Sequence, residues 1–172
     1  MNIYDRKVVC EYWDTPVLQS NELWLEIQFY TENHIVFFFK RNYDSPENEY
    51  HVLTIEADSP FRITEEGLGW KVVGDLLDNN IAREDGKRGR TFKVWNTQFA
   101  VESFRGLAIP KEDYDKLEKF QFIIYTNDAW IQFVTFDPVK WTFHQNVLLK
   151  DLVTQYLSND FLDERVISGN NI

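Results

Sequence analysis

The stretch "ELWLEIQFY", Glu22 to Tyr30, constrains the fold more than any other. Leu23, Leu25, Ile27 and Phe29 alternate with Glu22, Trp24, Glu26 and Gln28. A period of two belongs to an extended chain, whose successive side chains leave opposite faces of a sheet. The spacing predicts a strand with one face in a core and the other mostly in water. "TEN" follows, then "HIVFFFK", and the two runs read as a hairpin.

The same logic recurs along the chain. "KVVCEYW" is strand-like. "RNYDSPENE" is a polar loop and "YHVLTIE" the next strand. Pro60 ends it, because proline cannot donate to a ladder. "FRIT" and "WKVV" flank "EEGLG" and predict a second hairpin with a glycine-bearing turn. "TFKVW" places Thr91, Lys93 and Trp95 on one face and Phe92 and Val94 on the other, and "FAVESF" reads as a further strand. "KFQFIIY", "TND" and "AWIQFVTF" give the strongest hairpin, with Asn127 and Asp128 suited to positive φ in a tight turn. Phe122 and Ile124 oppose Ile123 and Tyr125, so both faces are apolar and the pair is expected at the centre of a sheet.

Two segments read as helices. In "PKEDYDKLEKF", Pro110 suits a first turn, Glu112–Lys116 and Asp115–Lys119 are favourable i,i+4 pairs, and Tyr114 and Leu117 begin a narrow apolar face. In "NVLLKDLVTQYLSN", Leu148, Leu149, Leu152, Val153 and Tyr156 recur at helical spacing, which predicts a helix lying on the sheet. "DFLDERVI" suggests one more turn capped by Asp160, and residues 167–172 a frayed tail.

Strands joined by hairpin-length links, not alternating with helices, argue against a doubly wound sheet. The expected class is α+β: one domain over residues 1–172, with a mainly antiparallel, strongly curved sheet of about eight strands backed by a C-terminal helix. An all-β barrel with peripheral helices is the alternative. The 172 residues suffice for a core without metal or disulfide staples. Aromatic residues, 16% of the chain, favour strands.

Charge and cysteine bound the function. The formal net charge is −10, and the pI is about 4.7. Such a surface disfavours nucleic acid and anionic membrane and attracts cationic partners. The single cysteine, Cys10, excludes an internal disulfide and points to the cytoplasm; its apolar neighbours predict an inert, packed thiol. The N-terminal stretch carries charges and no apolar h-region, so no signal peptide is expected, and no apolar run is long enough to span a bilayer.

Local catalytic signatures are missing: no GxGxxG, GxxxxGK[ST], GxSxG, HExxH or paired CxxC. His34, His51 and His144 do not share ligand spacing, and structural roles are expected for the first two. His144, near Asp137, is a candidate general base only if a carboxylate pairs with it. Asp44, Glu47 and Glu49, and Asp75 with Asp78, lack the calcium spacing and its turn glycine. No metal and no cofactor is expected, and no residue is assigned a catalytic role.

Two surfaces remain. Trp24 lies on the polar face of its strand between Glu22 and Glu26, Trp13 stands in a loop before "DTP", and Trp130 begins the second strand of the best hairpin. Together these five residues suggest an acidic, aromatic-bearing patch for a protein partner. The stretch "EDGKRGR" is the electropositive exception: residues 83–93 hold five of the 18 cations and two of the 28 acids. Its glycines predict an exposed turn, with Lys87, Arg88 and Arg90 as the contacts for an anion.

The leading expectation is therefore a non-enzymatic interaction protein that binds a cationic protein, with the charge logic of inhibitors and antitoxin-like proteins. The alternative is a small-molecule-binding or enzymatic domain with an aromatic-lined pocket, in which His144, Arg90 or Arg105 fixes a ligand group.

Overall fold

The described residues form nine strands and two helices. The computed structural model describes residues 9–41, 48–65, 89–95, 97–106, 110, 121–135 and 137–158. In chain order the elements are β1 (Val9–Tyr12), β2 (Trp24–Tyr30), β3 (His34–Lys40), β4 (Tyr50–Glu56), β5 (Phe61–Glu65), β6 (Thr91–Trp95), α1 (Gln98–Gly106), β7 (Gln121–Tyr125), β8 (Ala129–Val134), β9 (Lys140–His144) and α2 (Leu149–Leu157). Every strand pairing is antiparallel. The class is α+β, as the spacing of the runs implies.

The strands divide into two sheets rather than one curved sheet, and neither closes into a barrel. One has the order β1-β6-β7-β8-β5 and the other β2-β3-β4-β9. Their facing sides share a core of Ile35, Phe37, Phe39, Leu53 and Ile55 from the four-stranded sheet and Phe122, Ile124, Ile131 and Phe133 from the five-stranded one. The five-stranded sheet carries a second cluster on its outer face, Cys10, Phe92, Val94, Ile123 and Trp130. On the outer face of the four-stranded sheet, Val36, Phe38, Tyr50 and Val52 pack against Leu152 and Tyr156 of α2. Apolar residues on both faces of β7 and β8 have this cause: each sheet is covered on both sides.

Helix α1 overturns the expectation of a strand at "FAVESF". The Thr97 hydroxyl accepts the Ala100 N–H (3.2 Å), which caps the first turn, and Gln98 Nε2 donates to Glu102 Oε1 at i,i+4 (2.7 Å). Ala100 and Val101 are buried. Arg62 of β5 lies 4.8 Å from the Phe99 ring centroid and Gln121 of β7 accepts from Thr97, so α1 lies against the outer face of the five-stranded sheet. Period two over six residues does not separate a strand from a short helix when a cap precedes it.

Strand β2 departs from its own pattern. A bulge between Leu25 and Ile27 shifts the register, so that Leu25 pairs with Phe39 but Ile27 with Phe38. The alternation therefore changes face at Glu26. Leu25 packs in the central core, whereas Phe29 stacks on Phe38 outside it, 5.6 Å between centroids. Tyr30 turns inward to meet Phe61 at 5.9 Å.

The β2–β3 and β7–β8 hairpins are present as expected. The second turn does not use positive φ at Asn127 or Asp128, since Asn146 is the one non-glycine residue of positive φ among the described residues. The Thr126 hydroxyl closes it instead, accepting the Ala129 N–H at 2.9 Å. β5 pairs with β8; the run "WKVV" lies outside the described residues. So do the helix expected at "PKEDYDKLEKF" beyond Pro110, the Asp160 cap and the tail at 167–172. β9 was not legible as a strand; it pairs with β4.

Candidate functional site

The bulge makes β2 an edge with side-chain character. β2 and β5 are terminal strands of their sheets and lie on the same side of the sandwich. Phe61 of β5 meets Tyr30 of β2 and Phe37 of β3, at 5.9 and 5.6 Å. At the other end, Asn127 accepts the Leu23 N–H (3.2 Å) and donates its own N–H to Leu23 O (2.6 Å), close to where Glu65 pairs with Ala129. Along this edge Glu22, Glu26, Glu32 and Glu65 are exposed, and residues 21–33 contain no lysine or arginine. Tyr30 is 55% exposed and Ile63 39%. Ile27 is exposed on the outer side.

Three of the five residues assigned to a patch from sequence belong to this edge. Glu22 and Glu26 are exposed, and Trp24 is half-buried opposite Lys40. Trp13 and Trp130 do not join them. Trp130 is 1% exposed and stacks on Tyr125 at 4.3 Å, because β8 is an interior strand whose outer face is covered. Trp13 is half-buried against the central core, 4.6 Å from Phe122 and 6.0 Å from Trp141. Tyr30 and Ile63 went unnoticed in the sequence: Tyr30 is the last residue of β2, and the bulge that redirects it has no sequence signature in "LEI".

The basic stretch is not wholly an exposed turn. Lys87 and Arg88 lie outside the described residues. Arg90 is 8% exposed; its Nε donates to Ser20 O (3.1 Å) and a terminal nitrogen to Asn21 O, with the guanidinium 4.9 Å from the Tyr125 ring centroid. These contacts tie the loop before β2 to the start of β6. Gly89 is buried as well, and a Cβ there meets Tyr12 Cε1 at 2.5 Å and Leu18 Cδ1 at 2.9 Å, so a side chain at this position would have to displace the Tyr12 ring and Leu18. Arg90 is a buried donor to backbone carbonyls, not a solvent-facing cation.

The histidines occupy the β4–β9 pair. His144 does not meet Asp137 as its general-base reading required. Its Nε2 lies 3.2 Å from Thr142 Oγ1 and 3.1 Å from Tyr156 OH, themselves 2.7 Å apart, beneath α2. Burial lowers its pKa. Burial pushes Tyr156 up to about 12, against the Thr142 hydrogen bond. The trio is neutral and mutually bonded. His51 is 6% exposed on the inner face, its ring 4.7 Å from that of Phe143. His34 opens β3, 3.8 Å from Glu56.

Cys10 is buried, and burial with Glu11 nearby holds its thiol up to about 12, so it is not a nucleophile at neutral pH. Among the described residues no three His, Cys, Asp or Glu side chains gather as a metal site, and no helix is long and apolar enough to cross a membrane. The chain matches no protein-family model, no curated protein and no solved structure, so its own geometry carries the functional reading.

Proposed function

We propose that the protein is a non-enzymatic, cytoplasmic binding protein that docks a cationic protein partner on the β2–β5 edge. The observation that carries this reading is Tyr30: a large ring, more than half exposed, in a segment, residues 21–33, that holds three glutamates and no lysine or arginine. Tyrosine supplies much contact area at small entropic cost and is enriched where binding energy concentrates. Exposed carboxylates around it steer a basic partner, and the net charge of −10 extends that field. The Glu26 bulge breaks the regular edge, so recognition runs through side chains rather than an added strand.

Affinity capture from lysate of the source cell, at low and high salt, tests the reading with the wild type, Tyr30→Ser and Glu26→Lys. The expected result is one stoichiometric basic protein, retained at low salt, weakened by salt and held about tenfold less well by each variant. A partner held equally by all three proteins, or no stoichiometric partner at either salt, overturns it.

A further inference from the structure

Arg62 is a cation fixed in place on the outer face of the five-stranded sheet, without an ion pair. Phe61 packs against the central core, so its strand neighbour Arg62 leaves the opposite face of β5, where α1 lies. Two contacts fix the side chain. Its Nε donates to Oε1 of Gln132, its cross-strand partner on β8, and its guanidinium carbon lies 4.8 Å from the ring centroid of Phe99 on α1. A long side chain that would otherwise sample many rotamers is thereby ordered before any ligand arrives.

The two terminal nitrogens are left over. Among the described residues they have no hydrogen-bond partner and no carboxylate within ion-pair distance. They are nonetheless not among the polar atoms shut off from solvent, and Arg62 as a whole is only half-buried, so an outside group can reach them. The same holds for Nε2 of Gln132, a residue 5% exposed whose oxygen is committed to Arg62. Burial lowers the Arg62 pKa, and Glu102 acts on it in the opposite direction. Glu102 is exposed and accepts from Gln98 Nε2 at 2.7 Å, so its field is felt but it does not close on the guanidinium.

These free groups all donate and none accepts, so the complementary ligand is an anion. The end of a guanidinium presents two parallel N–H groups at the spacing of two carboxylate oxygens. One cation suits one negative charge. A phosphate dianion would face Glu102 and a net charge of −10 with a single arginine to hold it.

We propose that Arg62, with Gln132 beside it, binds a singly charged carboxylate on the outer face of β5. A free organic acid and the C-terminus of a partner chain both carry this group, and the experiment separates them. The site faces away from Tyr30 and does not depend on the partner reading.

Nuclear magnetic resonance of the Arg62 Nε–H and the Gln132 side-chain amide tests it on the full chain, with chloride keeping the ionic strength constant. The probes are acetate and benzoate for a free acid, N-acetylglycine for a chain terminus, and inorganic phosphate for a different oxyanion. At least one carboxylate is expected to shift both signals together and saturably. Tighter binding of acetate or benzoate identifies a free acid as the guest, and tighter binding of N-acetylglycine a chain terminus. Arg62→Lys keeps the charge but loses the fork, and should hold the best probe about tenfold less well, read at the Gln132 amide. The wild-type titration decides even if the variant fails to fold. The proposal fails if no carboxylate saturates both signals, or if phosphate binds as tightly as the best carboxylate. It fails equally if Arg62→Lys binds that carboxylate unchanged, which would leave a surface charge without a built site.

Discussion

His51 and His144 stand one register step apart on the same strand pair, and the fold treats them oppositely. Tyr50 pairs with His144 and His51 with Phe143, so the two rings leave opposite faces of the four-stranded sheet. Both are withdrawn from water enough for burial to lower their pKa. His144 meets two hydroxyls under α2, whereas His51, the more buried of the two, meets rings. Burial therefore does not mark a histidine as structural; the fate of its nitrogens does. The outer face is a finished polar network that ties a helix to a sheet. The inner face is a polar group set among aromatic side chains.

The largest effect is expected on the finished side. Tyr156 is buried, its ring 5.3 Å from Phe38, and its hydroxyl joins Thr142 and His144. Tyr156→Ala removes the ring that seats α2 and takes from Thr142 and His144, both partly buried, the hydroxyl they share. A loss of about 3–5 kcal/mol in denaturant unfolding is expected. A loss below about 1 kcal/mol would mean that α2 contributes little to the fold, and the contrast between faces would collapse.

Acid should expose the unfinished side next. The folded-state value of His51 is about 4, below its ordinary 6.5. Between these values the unfolded chain binds a proton that the folded chain refuses. Stability from this group is then full above 6.5, falls as pH drops from 6.5 to 4 and levels off below 4, a loss of up to about 3 kcal/mol. His144 adds in the same direction, since its value is also lowered. Comparing unfolding midpoints of the wild type and His51→Phe from pH 7 to pH 4 isolates the His51 share. Parallel curves would show that this ring does not titrate out of step with the unfolded chain.

Patterning revealed the strands and the final helix because both rest on local periodicity. "HIVFFFK" and "AWIQFVTF" hold too many apolar residues for anything but a strand covered on both faces, and Leu152 with Tyr156 marks the buried side of α2. What stayed hidden depends on contacts distant in sequence. The burial of Arg90 rests on carbonyls some 70 positions away; the helix at "FAVESF" is the local exception, turning on a cap at Thr97 three residues before Ala100. Trp130 looked like a hairpin-end aromatic because nothing local shows that β5 pairs along β8. The candidate edge was half legible: Glu22 and Glu26 stood out, but Tyr30 needed the bulge. The inner corner was illegible, since His51 reads as an ordinary strand residue until its neighbours are known.

His144→Ala should cost less than losing Tyr156, about 1–2 kcal/mol, because Thr142 and Tyr156 keep their own 2.7 Å hydrogen bond. An unchanged midpoint would mean that the imidazole is a bystander, which would erase half of the comparison.

The smallest effect is the most discriminating. His51→Phe replaces one flat ring by another and removes two nitrogens that have no partner among the described residues. Deleting a polar atom costs its hydrogen bond only if the bond exists; where it does not, an apolar ring of similar shape is neutral or better. The unfolding midpoint of His51→Phe at pH 7 is therefore expected within about 0.5 kcal/mol of the wild type. Phenylalanine is slightly larger, so strain in a packed corner can by itself destabilise. His51→Leu, smaller and equally apolar, separates the two causes. If both variants lose more than about 2 kcal/mol, the nitrogens are used within the chain. His51 would then be a satisfied core histidine like His144, and the asymmetry between the faces would vanish.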